Sequence, residues 1–240
     1  MEVTKQMITV EDALEIFHAR EFAYDILRRF FIEEPSREYV KLFIQRNMID
    51  LFPFQEESEE IRTGVKKIKD YLAVYNPGMI DQHYENLHWD YTKMFIGPFE
   101  ILASPWESVY VRKDKLLFQQ TTMDVRNLYK KYGFQAGELN IEADDHIGLE
   151  IDFLYHLNQL AIESAESQSA TALQEIQYLL REQKLFIENH LAEFVPALVS
   201  KIGEHADTDF FRGMAILLQY FLIMDSKVLN ELLNIEMIQK

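Results

Sequence analysis

The sequence predicts an all-α protein, a single helical domain of two packed lobes, on three observations. Apolar residues recur every three to four positions along nearly the whole chain. Only 8 Gly and 6 Pro interrupt 240 residues, too few for a turn-rich sandwich or barrel. A content of 48% hydrophobic and 13% aromatic residues excludes a disordered chain and supplies a sizeable core.

The first helix is expected to start at Thr9, whose hydroxyl can cap free amides, with Asp12 three residues on. Val10, Leu14, Phe17, Phe22, Ile26 and Phe30 trace its buried face, and Pro35 ends it. Ser36 can cap a second helix carrying Tyr39, Leu42, Phe43 and Ile49. After a loop around Pro53, Ser58 can cap a third with Ile61, Val65, Ile68 and Leu72, stopped by Asn76-Pro77-Gly78. A fourth runs from about Met79 through Met94, with Tyr84, Leu87, Tyr91 and Phe95 inside.

Gly97 to Tyr110 fits no single period, which predicts an ordered loop with a helical turn near Trp106. Helical spacing returns from about Thr121 to Tyr132 and breaks at Gly133. Asp144 or Asp145 then begins a long helix through about Ser164, and the polar stretch Ser164 to Ala170 reads as a linker. Three more helices are expected: Thr171 to Ile202 with a break at Pro196, Asp209 to Met224, and Ser226 to Met237. The domain spans 1–240, with an N-terminal lobe of about 1–133 and a C-terminal lobe of about 140–240.

Charge narrows the function. With 24 basic against 40 acidic residues, the net charge of −16 repels phosphate backbones and attracts a basic partner. Between Tyr132 and Leu180 stand nine acidic residues and no Lys or Arg, six of them Glu138, Glu142, Asp144, Asp145, Glu150 and Asp152. A solvated face with carboxylates at a helix N-terminus is one reading; so long a run of one sign points to a cationic partner. The absence of Cys removes thiol nucleophiles, Cys-ligated zinc, iron–sulfur clusters and disulfides. Met1 to Val10 has no apolar core of a signal peptide, and the longest apolar stretch, Ala215 to Met224, is half a membrane span. A soluble, cytoplasmic protein is expected.

Few constellations could carry catalysis. Glu15 with His18 and Glu85 with His88 are Glu-x-x-His units of the kind that ligate di-metal centres in four-helix bundles, so a di-metal carboxylate enzyme is the alternative reading. His146 and Glu150, one turn apart, are only two of the ligands zinc needs. Gly148 near a helix start implies close approach by a neighbouring helix or a peptide. Trp106 beside Glu107 and Ser108 is either an exposed aromatic plate or a ring packed onto the core. No nucleophile elbow, phosphate loop or dinucleotide fingerprint is present.

The blocks Tyr91, Phe95, Gly97-Pro98, then Pro105-Trp106-Glu107-Ser108-Val109-Tyr110, then Asp144-Asp145-His146-Ile147-Gly148-Leu149-Glu150, together resemble the TorD/DmsD family. Tyr129, Gly133 and the patch Phe186, His190-Leu191, Phe194 and Pro196 extend the likeness, which runs from about Leu14 to Asp225. Ala143 stands where the family usually has Pro in a hinge loop, and Phe194 where it often has Trp.

The resemblance implies a non-enzymatic cytoplasmic chaperone. It would bind the twin-arginine leader and apo form of a molybdopterin-dependent oxidoreductase, assist cofactor insertion and delay export. It further implies peptide contacts at Gly97, Pro98, Trp106, Asp145 and His146, and the acidic rim beside the aromatic loop adds Glu107, Ser108, Tyr110, Asp144 and Glu150 as expected contacts. No cofactor would be held stably, although some members bind guanine nucleotide weakly, and the state would be a monomer or a domain-swapped dimer. Carboxylates for each guanidinium and apolar walls for the hydrophobic segment are the complementary chemistry.

Overall fold

The computed structural model describes residues 7–97, 100–111, 120–135, 143–167 and 169–239. Helix α1 (Val10–Phe31) begins where Thr9 Oγ1 accepts the Asp12 amide at 3.1 Å, and it ends with Arg28 and Arg29 complementing the helix dipole. Ser36 caps α2 (Arg37–Gln45) and Ser58 caps α3 (Glu59–Val74) in the same way, each accepting an amide three residues on. Helix α4 (Asp81–Tyr91) runs into a π turn, Thr92–Ile96, closed by Gly97, whose φ of +61° only glycine adopts easily. The short α5 (Glu107–Val111) and α6 (Gln120–Lys131) follow, then α7 (Ile147–Glu166) and α8 (Ala172–Phe186). After a second π turn, Ile187–Leu191, come α9 (Ala192–His205) and α10 (Asp209–Asn234).

The buried side chains form one hydrophobic cluster that draws on most of these elements. Helix α10 lies along α3, and α1 along α7. Two glycines set the first of these crossings: a Cβ on Gly213 would stand 2.8 Å from the Gly64 carbonyl and 2.6 Å from Ile68 Cγ1. At the heart of the cluster Arg20 is wholly buried. Its Nε reaches Asp225 Oδ1 at 2.5 Å, and its Nη atoms reach Asn158 and Gln183 at 2.7 Å each. The Tyr24 hydroxyl donates to Asp225 Oδ2 at 2.5 Å. This network ties α1 to α7, α8 and α10, and it satisfies a charge that could not stay buried alone.

Several expectations need correction. No break separates Asp209–Met224 from a following helix: α10 is continuous to Asn234, because Asp225 faces Arg20 inside the protein rather than solvent. Beyond α10 the chain forms a strand, β2 (Glu236–Ile238), parallel to β1 (Met7–Thr9), with Met7 opposite Glu236. Pro196 does not break its helix but lies inside α9, and the interruption falls earlier, at the second π turn. Ile49 belongs to a separate 3₁₀ turn, Met48–Leu51, and α7 continues two residues past Ser164, to Glu166, into the stretch read as linker.

Candidate functional site

Sequence blocks that lie far apart meet at one junction. Pro105 to Glu107 runs antiparallel to Asp145–Ile147: the Glu107 amide donates to the Asp145 carbonyl at 2.9 Å, and the Ile147 amide to the Pro105 carbonyl at 2.8 Å. The rings of Trp106 and His146, at the centre of this bridge, pack edge-to-face with centroids 6.0 Å apart.

The acidic pair is held from two sides. Asp145 is fully buried; its Oδ2 accepts the Ser108 amide and its Oδ1 the Thr122 hydroxyl, both at 2.9 Å. It thereby caps the first turn of α5 and pins α6 to it. Asp144 lies nearer the surface, its Oδ2 accepting from Arg126 Nε at 2.7 Å and lying 2.6 Å from Nη2 in an ion pair, while its carbonyl accepts the Tyr129 hydroxyl at 2.8 Å. Thr122, Arg126 and Tyr129 recur at helical spacing, so one face of α6 covers the pair.

Neither aspartate caps α7, contrary to expectation. His146 does so, its Nδ1 accepting the Gly148 amide at 3.1 Å. The neutral ring therefore carries its proton on Nε2, and burial lowers its pKa to about 4. The close approach at Gly148 is by the end of α1: an added Cβ would stand 2.2 Å from Ile32 Cα.

Behind the bridge lie two more carboxyls. Glu107, 3% exposed, meets His190 Nδ1 at 3.1 Å. Glu150 is wholly buried, and neither of its oxygens has a hydrogen-bond partner of good geometry. Desolvation, reinforced by the charge of Glu107, holds its pKa well above the usual carboxylate value.

Of the other residues named from the sequence, Trp106 and Tyr110 are half-buried, the latter stacked on Phe194, and Ser108 is fully buried. Pro98, Glu138 and Glu142 lie outside the described residues. A cavity of about 170 Å³ is lined by Leu128, Phe153, Leu157, Phe186 and His190 among others, and His190 links it to the junction through Glu107. A wider one, about 530 Å³, lies elsewhere, between α3, α4 and the start of α10, and no junction residue lines it.

The expectation of a wholly external cationic partner for the acidic run also changes. Arg126 of α6 pairs with Asp144, and Arg28 of α1 pairs with Asp152 at 2.9 Å. Sequence reasoning passed over both arginines because they lie outside the run and meet it only through folding. It equally missed Thr122, which carries no sequence signal beyond its helical spacing from Arg126.

The di-metal reading is not supported. His18 pairs with Glu21, and His88 with Glu34 just beyond α1. Glu21 lies in the middle of α1 and Glu34 beyond its end at Phe31, with about 15 Å of helix between Glu21 and Phe31 at 1.5 Å per residue, so the two Glu-x-x-His units do not share a centre. Among the described residues no group of three or more His, Asp or Glu is placed to hold a metal ion. No helix among them is long and apolar enough to cross a membrane.

Residues 54–200 match the family model described as nitrate reductase delta subunit. The chain is 30% identical over 209 residues to the chaperone protein TorD of Aliivibrio salmonicida, covering 87% of this chain and 89% of that protein. It is 24% identical to the TorD of Vibrio vulnificus, covering 85% and 91%. To a protein of Haemophilus influenzae named as a probable Tat proofreading chaperone, DmsD, it is 25% identical, covering 66% and 67%. The chain belongs to the TorD/DmsD family, chaperones rather than enzymes, that serve the maturation of molybdoenzymes.

Proposed function

We propose that this chain acts in the cytoplasm on the apo form of a molybdopterin-dependent oxidoreductase. It binds the enzyme's twin-arginine leader, assists cofactor insertion and holds back export until the enzyme is folded. The observation that carries this reading is the junction itself. The two blocks that carry the family likeness converge on one bridge, where an aromatic ring and an acidic pair lie together. A relative named for Tat proofreading supports leader recognition in particular.

The residues divide by what they are free to do. Trp106 and Tyr110 supply apolar surface, and Asp144 meets a guanidinium at the edge. Asp145, His146, Glu107, Ser108 and Glu150 hold that edge in shape from within, while Gly97 turns the chain into the loop leading to it. The reading requires no stably bound cofactor, and guanine nucleotide has no part in it.

Calorimetric titration with a molybdoenzyme leader peptide tests the proposal. An Arg-Arg leader binds the parent protein, and its Lys-Lys counterpart binds more weakly because an ammonium cannot present the planar fork. Trp106→Ala weakens binding with little change in salt dependence, since apolar contact is not screened. Equal binding of the Arg-Arg leader and a scrambled peptide refutes the reading.

A further inference from the structure

Resting on leader binding at this junction, we propose that Arg126 is a built-in competitor of the leader. Its guanidinium occupies Asp144 in the free protein and yields that carboxylate when a leader arginine arrives.

Three observations carry this. Among the described carboxylates of the acidic run, Asp145 and Glu150 are fully buried and Asp152 is taken by Arg28 across the α1–α7 contact. Asp144 is the one at the junction's edge, its side chain a tenth exposed and that of Arg126 a quarter exposed. Secondly, Arg126 Nε and Nη2 both land on the same oxygen, Oδ2. A guanidinium placed side by side with both carboxylate oxygens makes the stronger pairing, so an incoming arginine can improve on Arg126. Thirdly, Thr122 and Tyr129 hold the pair through Asp145 Oδ1 and the Asp144 carbonyl. Arg126 can therefore swing out while α6 stays in place.

Exchanging one arginine for another leaves Asp144 neutralised throughout. No charge is stranded on the way in or out, and the net affinity is the difference between two similar contacts. Moderate, reversible binding follows, which suits a chaperone that must release its client. A lysine leader competes poorly against an internal arginine, so Arg126 also sharpens the choice of Arg over Lys.

The test is titration of an Arg-Arg leader peptide into the parent, Arg126→Gln, Asp144→Asn and the double variant, at low and high salt. Arg126→Gln is expected to bind about fivefold tighter than the parent, the scale of releasing one partly exposed ion pair. The gain disappears in the Asp144→Asn background and persists at high salt. A gain that survives in Asp144→Asn, or vanishes with salt, is a general charge effect and overturns the inference. So does equal or weaker binding by Arg126→Gln beside a parent that binds, an outcome that leaves leader recognition standing. If neither the parent nor Arg126→Gln binds the leader, leader recognition at this junction is refuted, and the inference with it. Should Arg126→Gln fail to fold, Arg126→Lys must show the same direction at smaller size; no gain there also overturns it.

Discussion

Trp106 and His146 face each other across a single antiparallel bridge, their rings edge to face, with the backbone of each strand donating one hydrogen bond to the other. The aromatic loop and the start of α7 are therefore one rigid object, and the acidic pair beside them is oriented by it. What disturbs that object should disturb stability before it disturbs recognition.

Asp145 offers the clearest case. Asp145→Ala strands the Ser108 amide and the Thr122 hydroxyl, two buried donors, and should cost about 2–4 kcal/mol. Asp145→Asn keeps one accepting oxygen and should cost about half as much. Urea denaturation of both variants checks the order; an Asp145→Ala protein as stable as the parent would show that the carboxylate is not the clasp described here.

Gly148 and Gly203 make a matched pair. Gly148→Ala drives a Cβ to 2.2 Å from the Ile32 backbone and should destabilise by about 2 kcal/mol or more. At Gly203, on α9, an added Cβ meets nothing within 4 Å, so Gly203→Ala should stabilise by about 0.5–1 kcal/mol through helix propensity alone. Thermal melts of the two variants are expected to shift in opposite directions.

The internal salt link allows a third test. Asp225→Ala leaves the Arg20 guanidinium buried without its counter-charge and should cost about 3–5 kcal/mol. Replacing Arg20 by Met and Asp225 by Leu together should recover much of that loss, because no uncompensated charge remains. A double variant no better than Asp225→Ala would place the importance of the network in its other hydrogen bonds.

Stability should respond to pH through two buried groups of opposite sign. Glu150 has a raised folded-state pKa, so its contribution is present below the unfolded value of 4.5 and is lost as pH rises through the folded value. His146 is depressed from 6.5 to about 4, so its contribution is intact above 6.5 and is lost as pH falls toward 4. The carboxyls of Glu107 and Asp145, His190 against Glu107, and the Tyr129 phenol share the environment of Glu150. Glu150→Gln mimics the protonated acid; denaturation curves at pH 5 and 8 should show it more stable than the parent at the higher pH, with the gap narrowing at the lower. An unchanged pH profile would mean that Glu150 is ionised in the folded protein.

Much of the helical order was legible because its causes are local. Thr9, Ser36 and Ser58 each cap the helix that their spacing announced, and Gly133 turns with a φ of +65° just past α6, close to where the periodicity fails. What stayed hidden depends on distant partners. Asp225 looked like a helix terminus because a carboxylate in an apolar stretch suggests solvent, and nothing in sequence links it to Arg20. The pairing of β1 with β2 joins opposite ends of the described chain through two three-residue strands, too short to show a period of two. At the site, the two blocks were readable through their resemblance to a family. Their union at Trp106 and His146, and the arginine that α6 sets against Asp144, arise only from packing.

The central claim is that a molybdoenzyme needs this chain to mature, and the fraction of client loaded with cofactor measures that directly. In cells lacking the chain, the client should accumulate without its molybdopterin cofactor, and the parent gene should restore loading while Trp106→Ala restores it only in part. A client equally loaded with and without the chain would contradict the account.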